Sequence, residues 1–142
     1  MTQREFDIKM AEINILYSER KETLIAQFES ELQEIDQFIS DEKHKYDINV
    51  INLHHKCNDL VEQDCELQRQ GLTHYSEERN AVQTKMRGIK LQLQTECANN
   101  RALLSELYAK RRATEKELHQ KLLNNDLMKQ KAKKKLWAKL DR

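Results

Sequence analysis

Hydrophobic side chains recur every three or four residues along most of the chain. This spacing places them on one face of an α-helix, and a near-heptad repeat is typical of helices that pack side by side. In the first half the series is Phe6, Met10, Ile13, Tyr17, Leu24, Phe28, Ile35 and then Phe38 or Ile39. After mid-chain the regular run is Leu72, Tyr75, Arg79, Val82, Met86, Ile89, Leu93 and Cys97. The pattern predicts two long amphipathic helices.

Residues 70–73, at mid-chain, predict where the first helix ends. Gly71 is one of only two glycines, and the chain has no proline. Glycine readily adopts the left-handed conformation that commonly closes a helix. Thr73 or Ser76 can cap a second helix, and the acidic Glu77 and Glu78 would suit its first turn. We therefore expect the chain to fold back near Gly71.

The two halves of the chain carry opposite charge. Residues 1–71 contain 8 Lys and Arg against 16 Asp and Glu, whereas residues 72–142 contain 17 against 8. An antiparallel pairing of the halves places acidic residues beside basic ones, while a parallel pairing of identical chains places like charges together. Because an exposed ion pair is worth less than about 1 kcal/mol, charge selects the arrangement more than it stabilises it.

These observations predict an all-α fold, namely a long antiparallel helical hairpin or coiled coil hinged near Gly71, with a short basic C-terminal helix. The predicted parts are an acidic helical arm at 1–70, a hinge at 71–73, a helical arm at 74–125 and a basic amphipathic terminal helix at 126–142. Charged residues make up 35% of the chain. About 25% is usual, so the excess favours helices that expose much of their surface.

Two other arrangements fit the same pattern. One is a continuous parallel coiled coil with no hinge. The other is a compact four-helix bundle within one chain. Its breaks would lie near Ser40, Gly71 and Asn99, where polar residues interrupt the hydrophobic stripe.

The hydrophobic stripe of the first half is wider than one partner helix requires, because Ile8, Ile15, Ile25 and Leu32 extend it. A wide stripe suits a helix that touches more than one neighbour. We therefore expect a homo-oligomer, such as two hairpins forming a four-helix bundle. The residues predicted to mediate self-association are Ile13, Tyr17, Leu24, Phe28, Ile35, Val82, Met86, Ile89 and Leu93.

The last predicted segment differs from the rest of the chain. The sequence Asn124-Asn125-Asp126 is typical of a helix stop followed by a new cap. Beyond it, lysines dominate and the only tryptophan appears. The segment could dock on a larger protein partner, bind nucleic-acid phosphates, lie on an anionic membrane surface or remain a solvated terminus. The predicted partner-binding residues are Lys129, Lys131, Lys133, Lys134, Lys135, Leu136, Trp137, Lys139 and Leu140.

No motif predicts catalysis, a cofactor or a metal. His54, His55, Cys57, Cys65 and His74 cluster in sequence but lack the paired short spacings of a zinc site. The two glycines are isolated, so no phosphate-binding loop is indicated. Acidic residues at helical spacing usually form the solvent-exposed face of a helix, so they do not indicate a catalytic site. We therefore expect a protein that is not an enzyme.

The N-terminus is charged and precedes no apolar run, so neither a signal peptide nor a membrane span is expected. Three cysteines, an odd number, favour a reducing, cytoplasmic location. The leading functional hypothesis is a non-enzymatic structural or scaffolding protein. It would self-associate through helical coiled-coil packing and dock a larger protein assembly through its basic end. The alternative is a nucleic-acid-binding accessory protein that uses the lysine-rich tail.

Overall fold

The computed structural model describes residues 1–140 and contains two α-helices. Helix α1 spans Gln3–Arg69 and helix α2 spans Glu77–Leu140. Residues 1–140 contain no β-strand, and the two helices pack against each other. The predicted all-α class is therefore confirmed. Asp141 and Arg142, the last residues of the predicted terminal helix, lie outside the described residues.

Helix α1 begins with a capping box. The Thr2 hydroxyl Oγ1 accepts a hydrogen bond from the Glu5 backbone N–H at 3.2 Å, and Glu5 Oε2 accepts one from the Thr2 backbone nitrogen at 3.3 Å. This reciprocal pair satisfies donors that the first turn cannot satisfy internally. The helix then continues without a break past Ser40.

Helix α1 ends in a Schellman motif. Gly71 has φ +88°, and its N–H donates to the Gln68 carbonyl at 3.0 Å. The Leu72 N–H donates to the Leu67 carbonyl at 3.2 Å, which completes the motif. A residue with a β-carbon is strained at such a φ, so glycine suits the position.

A short connection, residues 70–76, leads into α2. The Ser76 hydroxyl Oγ accepts a hydrogen bond from the Arg79 N–H at 3.3 Å and donates one to the Thr73 carbonyl at 2.8 Å. Ser76 is therefore the N-cap of α2. Tyr75, which the spacing had placed on the hydrophobic stripe, lies in this connection and is almost fully exposed.

The helix bounds of the structure differ from the predicted ones. The second arm was predicted to start at 74, but α2 starts at Glu77. Neither α1 at Ser40 nor α2 at Asn99 is interrupted, which excludes the breaks of the single-chain four-helix bundle. The presence of two helices that pack on each other also excludes one continuous helix.

At residues 124–126, where a break was predicted, α2 continues without interruption. The tertiary contact of Asn125 supplies the reason: its Nδ2 donates to the Tyr17 carbonyl of α1 at 3.1 Å. An asparagine inside a helix costs less than about 1 kcal/mol relative to alanine. A hydrogen bond to the neighbouring helix is of similar worth and offsets that cost.

The chain divides into two compact units, each containing part of both helices. Unit 1 consists of Met1–Asp36 and residues 109–140 as described here. Its buried hydrophobic side chains are Phe6, Tyr17, Phe28, Ile35 and Leu136. Phe6 of α1 contacts Trp137 of α2, and Tyr17 of α1 contacts Asn125 of α2. Residue numbers thus increase along α1 while those of the contacting α2 residues decrease, so the two helices are antiparallel in this unit.

Unit 2 consists of Gln37–Tyr108 and includes the connection. Ile39 and Val82 are its buried hydrophobic residues, and Arg79 is a buried charged residue. Most other stripe residues of this unit are half-buried, among them Leu53, Leu60, Met86, Ile89 and Leu93. Unit 2 therefore has few fully buried hydrophobic residues, and the buried Arg79 contributes an ion pair with Asp64 to its interior.

Candidate interaction surface

The basic segment, residues 126–140, is the last part of α2 and not a separate helix. Its lysines differ in exposure: Lys131, Lys134, Lys135 and Lys139 are exposed, whereas Lys129 and Lys133 are half-buried. The exposed ammonium groups are therefore free to meet an anionic surface. Leu140, at the end of α2, is half-buried.

The apolar residues of the basic segment face its own neighbouring helix. Leu136, predicted to bind a partner, is buried against α1 within unit 1. Trp137 is about half exposed, and its ring lies 4.7 Å from the Phe6 ring, centroid to centroid, at an interplanar angle of 57°. This tilted arrangement is a favourable one for aromatic pairs. Leu136 is thus covered mostly by its own chain, whereas one part of Trp137 remains accessible.

The residues predicted for self-association lie largely inside the single chain. Tyr17, Phe28, Ile35 and Val82 are buried, and Ile13, Leu24, Met86, Ile89 and Leu93 are half-buried. They already pack α1 and α2 of one chain together. A second copy would have to contact the exposed parts of the half-buried side chains, together with the exposed side chains that lie beside them.

Exposed apolar side chains lie next to this stripe. In unit 1 they include Leu16 on α1 and Met128 on α2. Leu16, which follows Ile15 in sequence, was not singled out from the sequence. A helical-wheel count of second-row apolar positions would have found it.

Leu16 and Met128 line a groove between α1 and α2 of unit 1. The groove has a volume of about 530 Å³, and Leu24 also lines it. Glu19 stands on its α1 side and Lys121 on its α2 side. Leu16 also lines an adjoining cavity of about 330 Å³, where Glu12 and Lys135 stand on opposite sides. Together the two cavities form one apolar groove with charged sides.

Among residues 1–140, two ion pairs join the helices, one in each unit. In unit 2, Arg79 Nε donates to Asp64 Oδ1 at 3.0 Å. In unit 1, Arg111 Nε donates to Asp36 Oδ1 at 2.7 Å, and Arg111 also pairs with Glu115. The hydrogen bond from Arg79 lowers the pKa of Asp64, and the hydrogen bond to Asp36 raises the pKa of Arg111. Both pairs link α1 to α2.

Tyr46 and Cys97 meet across the two helices in unit 2. A hydrogen bond with Cys97 raises the pKa of the Tyr46 phenol, with burial as a secondary cause. The Tyr46 phenol is therefore protonated at neutral pH, and its contact with Cys97 is part of the packing between α1 and α2.

Within residues 1–140 no group of three or more His, Cys, Asp or Glu side chains is arranged to hold a metal ion. The histidines and cysteines that cluster in sequence are not brought together as ligands. Over the same residues, neither helix has a stretch long and apolar enough to span a membrane. The candidate interaction surfaces of the described residues are thus the groove of unit 1 and the exposed lysines of α2.

Comparison with family models, with curated proteins and with solved structures finds no match to this chain.

Proposed function

We propose that the chain is a non-enzymatic structural or scaffolding protein. In this proposal an antiparallel hairpin hinged near Gly71 self-associates by coiled-coil packing, and the basic segment docks on a larger, acidic protein assembly. The proposed location is the cytoplasm, because the three cysteines are free and odd in number.

The large exposed surface is the observation that carries self-association. The chain has an accessible surface of 10844 Å². A folded monomer of 17.0 kDa is expected to expose about 7,700 Å². The excess of about 3,100 Å² per chain, or about 6,200 Å² for two chains, reaches the upper range of the total area that obligate dimers bury. A second copy is the simplest way to cover it.

The exposed apolar side chains support the same conclusion. Ile8, Ile15, Leu16, Leu127 and Met128 of unit 1 are all at least four-tenths exposed. Scattered single residues of this kind are normal, but Leu16 and Met128 line one groove, and an apolar groove is typical of an interaction site. A protein whose function is assembly needs such a surface and needs no enclosed pocket.

Sedimentation equilibrium of the full chain, over a broad range of protein concentration, tests self-association. We expect a defined oligomer at micromolar concentration. A monomer at every concentration would contradict the proposal. Far-UV circular dichroism of the same samples establishes that the helices are intact, so that a monomer cannot be attributed to unfolding.

The docking role rests on the exposed lysines of α2. Removing the whole basic segment is a poor test, because Leu136 would be lost from the core of unit 1. Replacing Lys131, Lys134 and the half-buried Lys129 by Gln, none of which lines the groove of unit 1, keeps the helix and removes three charges. We expect this variant to lose affinity for a labelled acidic helical peptide. A matched variant with Lys85, Lys90 and Lys110 replaced by Gln, all three exposed, should retain it.

Binding of nucleic acid is the second candidate, favoured by the same lysines. Their ammonium groups would contact phosphates without reading base sequence. A duplex probe titrated at several salt concentrations would then bind with a steep salt dependence. Substituting three lysines should reduce the slope of log K against log salt by about three. Tight binding of the acidic peptide with no binding of the duplex at low salt would eliminate this candidate.

A further inference from the structure

We propose that a second copy of this chain packs on the groove side of unit 1, so that α1 of each copy lies against α2 of the other. This inference rests on the proposed self-association and adds which face and which orientation the two copies use. Two observations support this inference: the position of the groove and the charge of the two helices that form it.

Two pairs of adjacent residues define the face. Leu16 is 44% exposed and Met128 is 51% exposed, and both line the groove. Their sequence neighbours Ile15 and Leu127 are slightly more exposed, at 58% and 54%, yet line neither part of it. The groove is therefore where apolar side chains from both helices come together, and a helix laid there would cover them jointly.

Two copies of a chain usually pair about a two-fold axis, and each uses the same patch. If the groove sides of two copies meet, the axis can run along the helices or across them. An axis along the helices places α1 of one copy on α2 of the other. An axis across them places α1 on α1 and α2 on α2.

The charges of unit 1 discriminate between the two orientations. Residues 1–36 carry four Lys and Arg against nine Asp and Glu, a net charge of −5. Residues 109–140 carry eleven against three, a net charge of +8. Pairing α2 with α2 would bring two strongly basic helices together, and juxtaposed like charges oppose association. Pairing α1 with α2 brings opposite charges together at both contacts.

At the groove itself, like charge is concentrated on α2. Within residues 109–140, its α2 side carries Lys121, Lys135 and Lys139 and no acidic residue, so an α2–α2 pairing would set lysines against lysines. Its α1 side carries Glu12 and Glu19 together with the cations Lys9 and Arg20, a net charge of zero. The guanidinium of Arg20 is held over the Tyr17 ring of its own helix, 5.0 Å from the ring centroid.

The same axis sets the register. A rotation about a line parallel to the helices leaves each residue at its own height, and one groove already brings Leu16 level with Met128. Leu16 of one copy would therefore meet Met128 of the other. Glu12 of one copy would likewise face Lys135 of the other, since both stand at the same part of the groove.

Serine substitutions at the adjacent residues test the face. The Leu16→Ser/Met128→Ser variant removes apolar groups from the groove, and Ile15→Ser/Leu127→Ser removes equally exposed groups outside it. By sedimentation equilibrium of the full chain, we expect the groove variant to raise the dimer dissociation constant at least about thirtyfold. The neighbouring variant should change it less than about threefold. Circular dichroism confirms that both variants keep their helices.

Charge reversal tests the orientation. The Glu12→Lys/Glu19→Lys variant should associate weakly with itself, as should Lys121→Glu/Lys135→Glu. An equimolar mixture of the two should associate about as tightly as the wild type, because each contact regains opposite charges. Glu22→Lys/Glu29→Lys is the control: these residues are exposed on α1 but do not line the groove. Its self-association should match that of the wild type.

The outcomes separate this inference from the proposed function. A wild-type chain that stays monomeric overturns both. An oligomer weakened equally by the two serine variants, or only by Ile15→Ser/Leu127→Ser, overturns the groove as the contact face but leaves self-association standing. If Glu12→Lys/Glu19→Lys associates like the wild type, α1 does not lie on α2 of the second copy, and the orientation is wrong.

Discussion

Arg79 of α2 and Asp64 of α1 form a bidentate ion pair within unit 2, beside the connection. Arg79 Nε and Nη2 donate to the two Asp64 carboxylate oxygens at 3.0 and 3.2 Å. The remaining terminal nitrogen, Nη1, donates to the Leu72 carbonyl at 3.1 Å. Arg79 is only 4% exposed. One guanidinium thus joins α1, the connection and α2, and its planar fork suits this task better than an ammonium group would.

Replacing Arg79 by Met keeps a long apolar stem but leaves the Asp64 carboxylate and the Leu72 carbonyl without their donor. Because unpaired polar groups are costly near a core, we expect a clear decrease in the urea midpoint of unfolding. Arg79→Lys should recover only part of the loss, since one ammonium cannot make the same three bonds. Arg112→Met, at an exposed position of α2, serves as the control. Equal midpoints for Arg79→Met and Arg112→Met would show that the ion pair contributes nothing.

The Asp64–Arg79 pair should make stability depend on pH in the acidic range. The hydrogen bond from Arg79 lowers the pKa of Asp64 below its ordinary value of 3.8. A carboxyl with a lowered pKa stabilises the folded state above its unfolded-state pKa, and that contribution is lost as pH falls through the folded-state pKa. The stability difference between wild type and Arg79→Met should therefore be largest near neutral pH and should shrink below about pH 4. Urea titrations along a pH series measure it. A difference that persists unchanged at about pH 2 would contradict this assignment.

The two glycines should respond oppositely to alanine. Gly71 has φ +88°, so Gly71→Ala strains the backbone and should lower the free energy of unfolding by about 1 kcal/mol or more. Gly88 lies inside α2, and a β-carbon there would meet open space. Gly88→Ala should therefore raise the free energy of unfolding by up to about 1 kcal/mol. Urea unfolding of both variants gives the comparison, and two changes of the same sign would refute it.

Two phenylalanines provide a test of the core in unit 1. Phe28 is 2% exposed, and the Lys121 ammonium lies 5.2 Å from the centroid of its ring. Phe28→Ala should lower the free energy of unfolding by about 3–5 kcal/mol, the usual cost of removing a buried aromatic ring. Phe38, in unit 2, is an exposed position and serves as the comparison. Phe38→Ala should cost less than about 1 kcal/mol by the same denaturation assay. Similar losses for both variants would mean that Phe28 is not a core residue.

Local sequence determined the helical class of this protein. The three-and-four spacing of apolar residues, the absence of proline and the scarcity of glycine leave no competing backbone structure over long stretches. These signals act between near neighbours on one helix, so a single sequence contains them. They also identified Tyr17, Phe28, Ile35 and Val82 as members of a packing stripe, and the structure buries all four.

Contacts between the helices decided the rest. Whether α2 stops at Asn125 depends on the Tyr17 carbonyl, which lies 108 residues away in sequence. Leu136 is buried whereas the adjacent Trp137, which contacts Phe6 of α1, stays half exposed, because consecutive side chains on a helix point about 100° apart. The groove beside Leu16 and Met128 exists only once two helices lie together at a particular rotation. Helical periodicity restricts that rotation to a broad face, and the packing of α1 against α2 selects the side chains that remain on the surface.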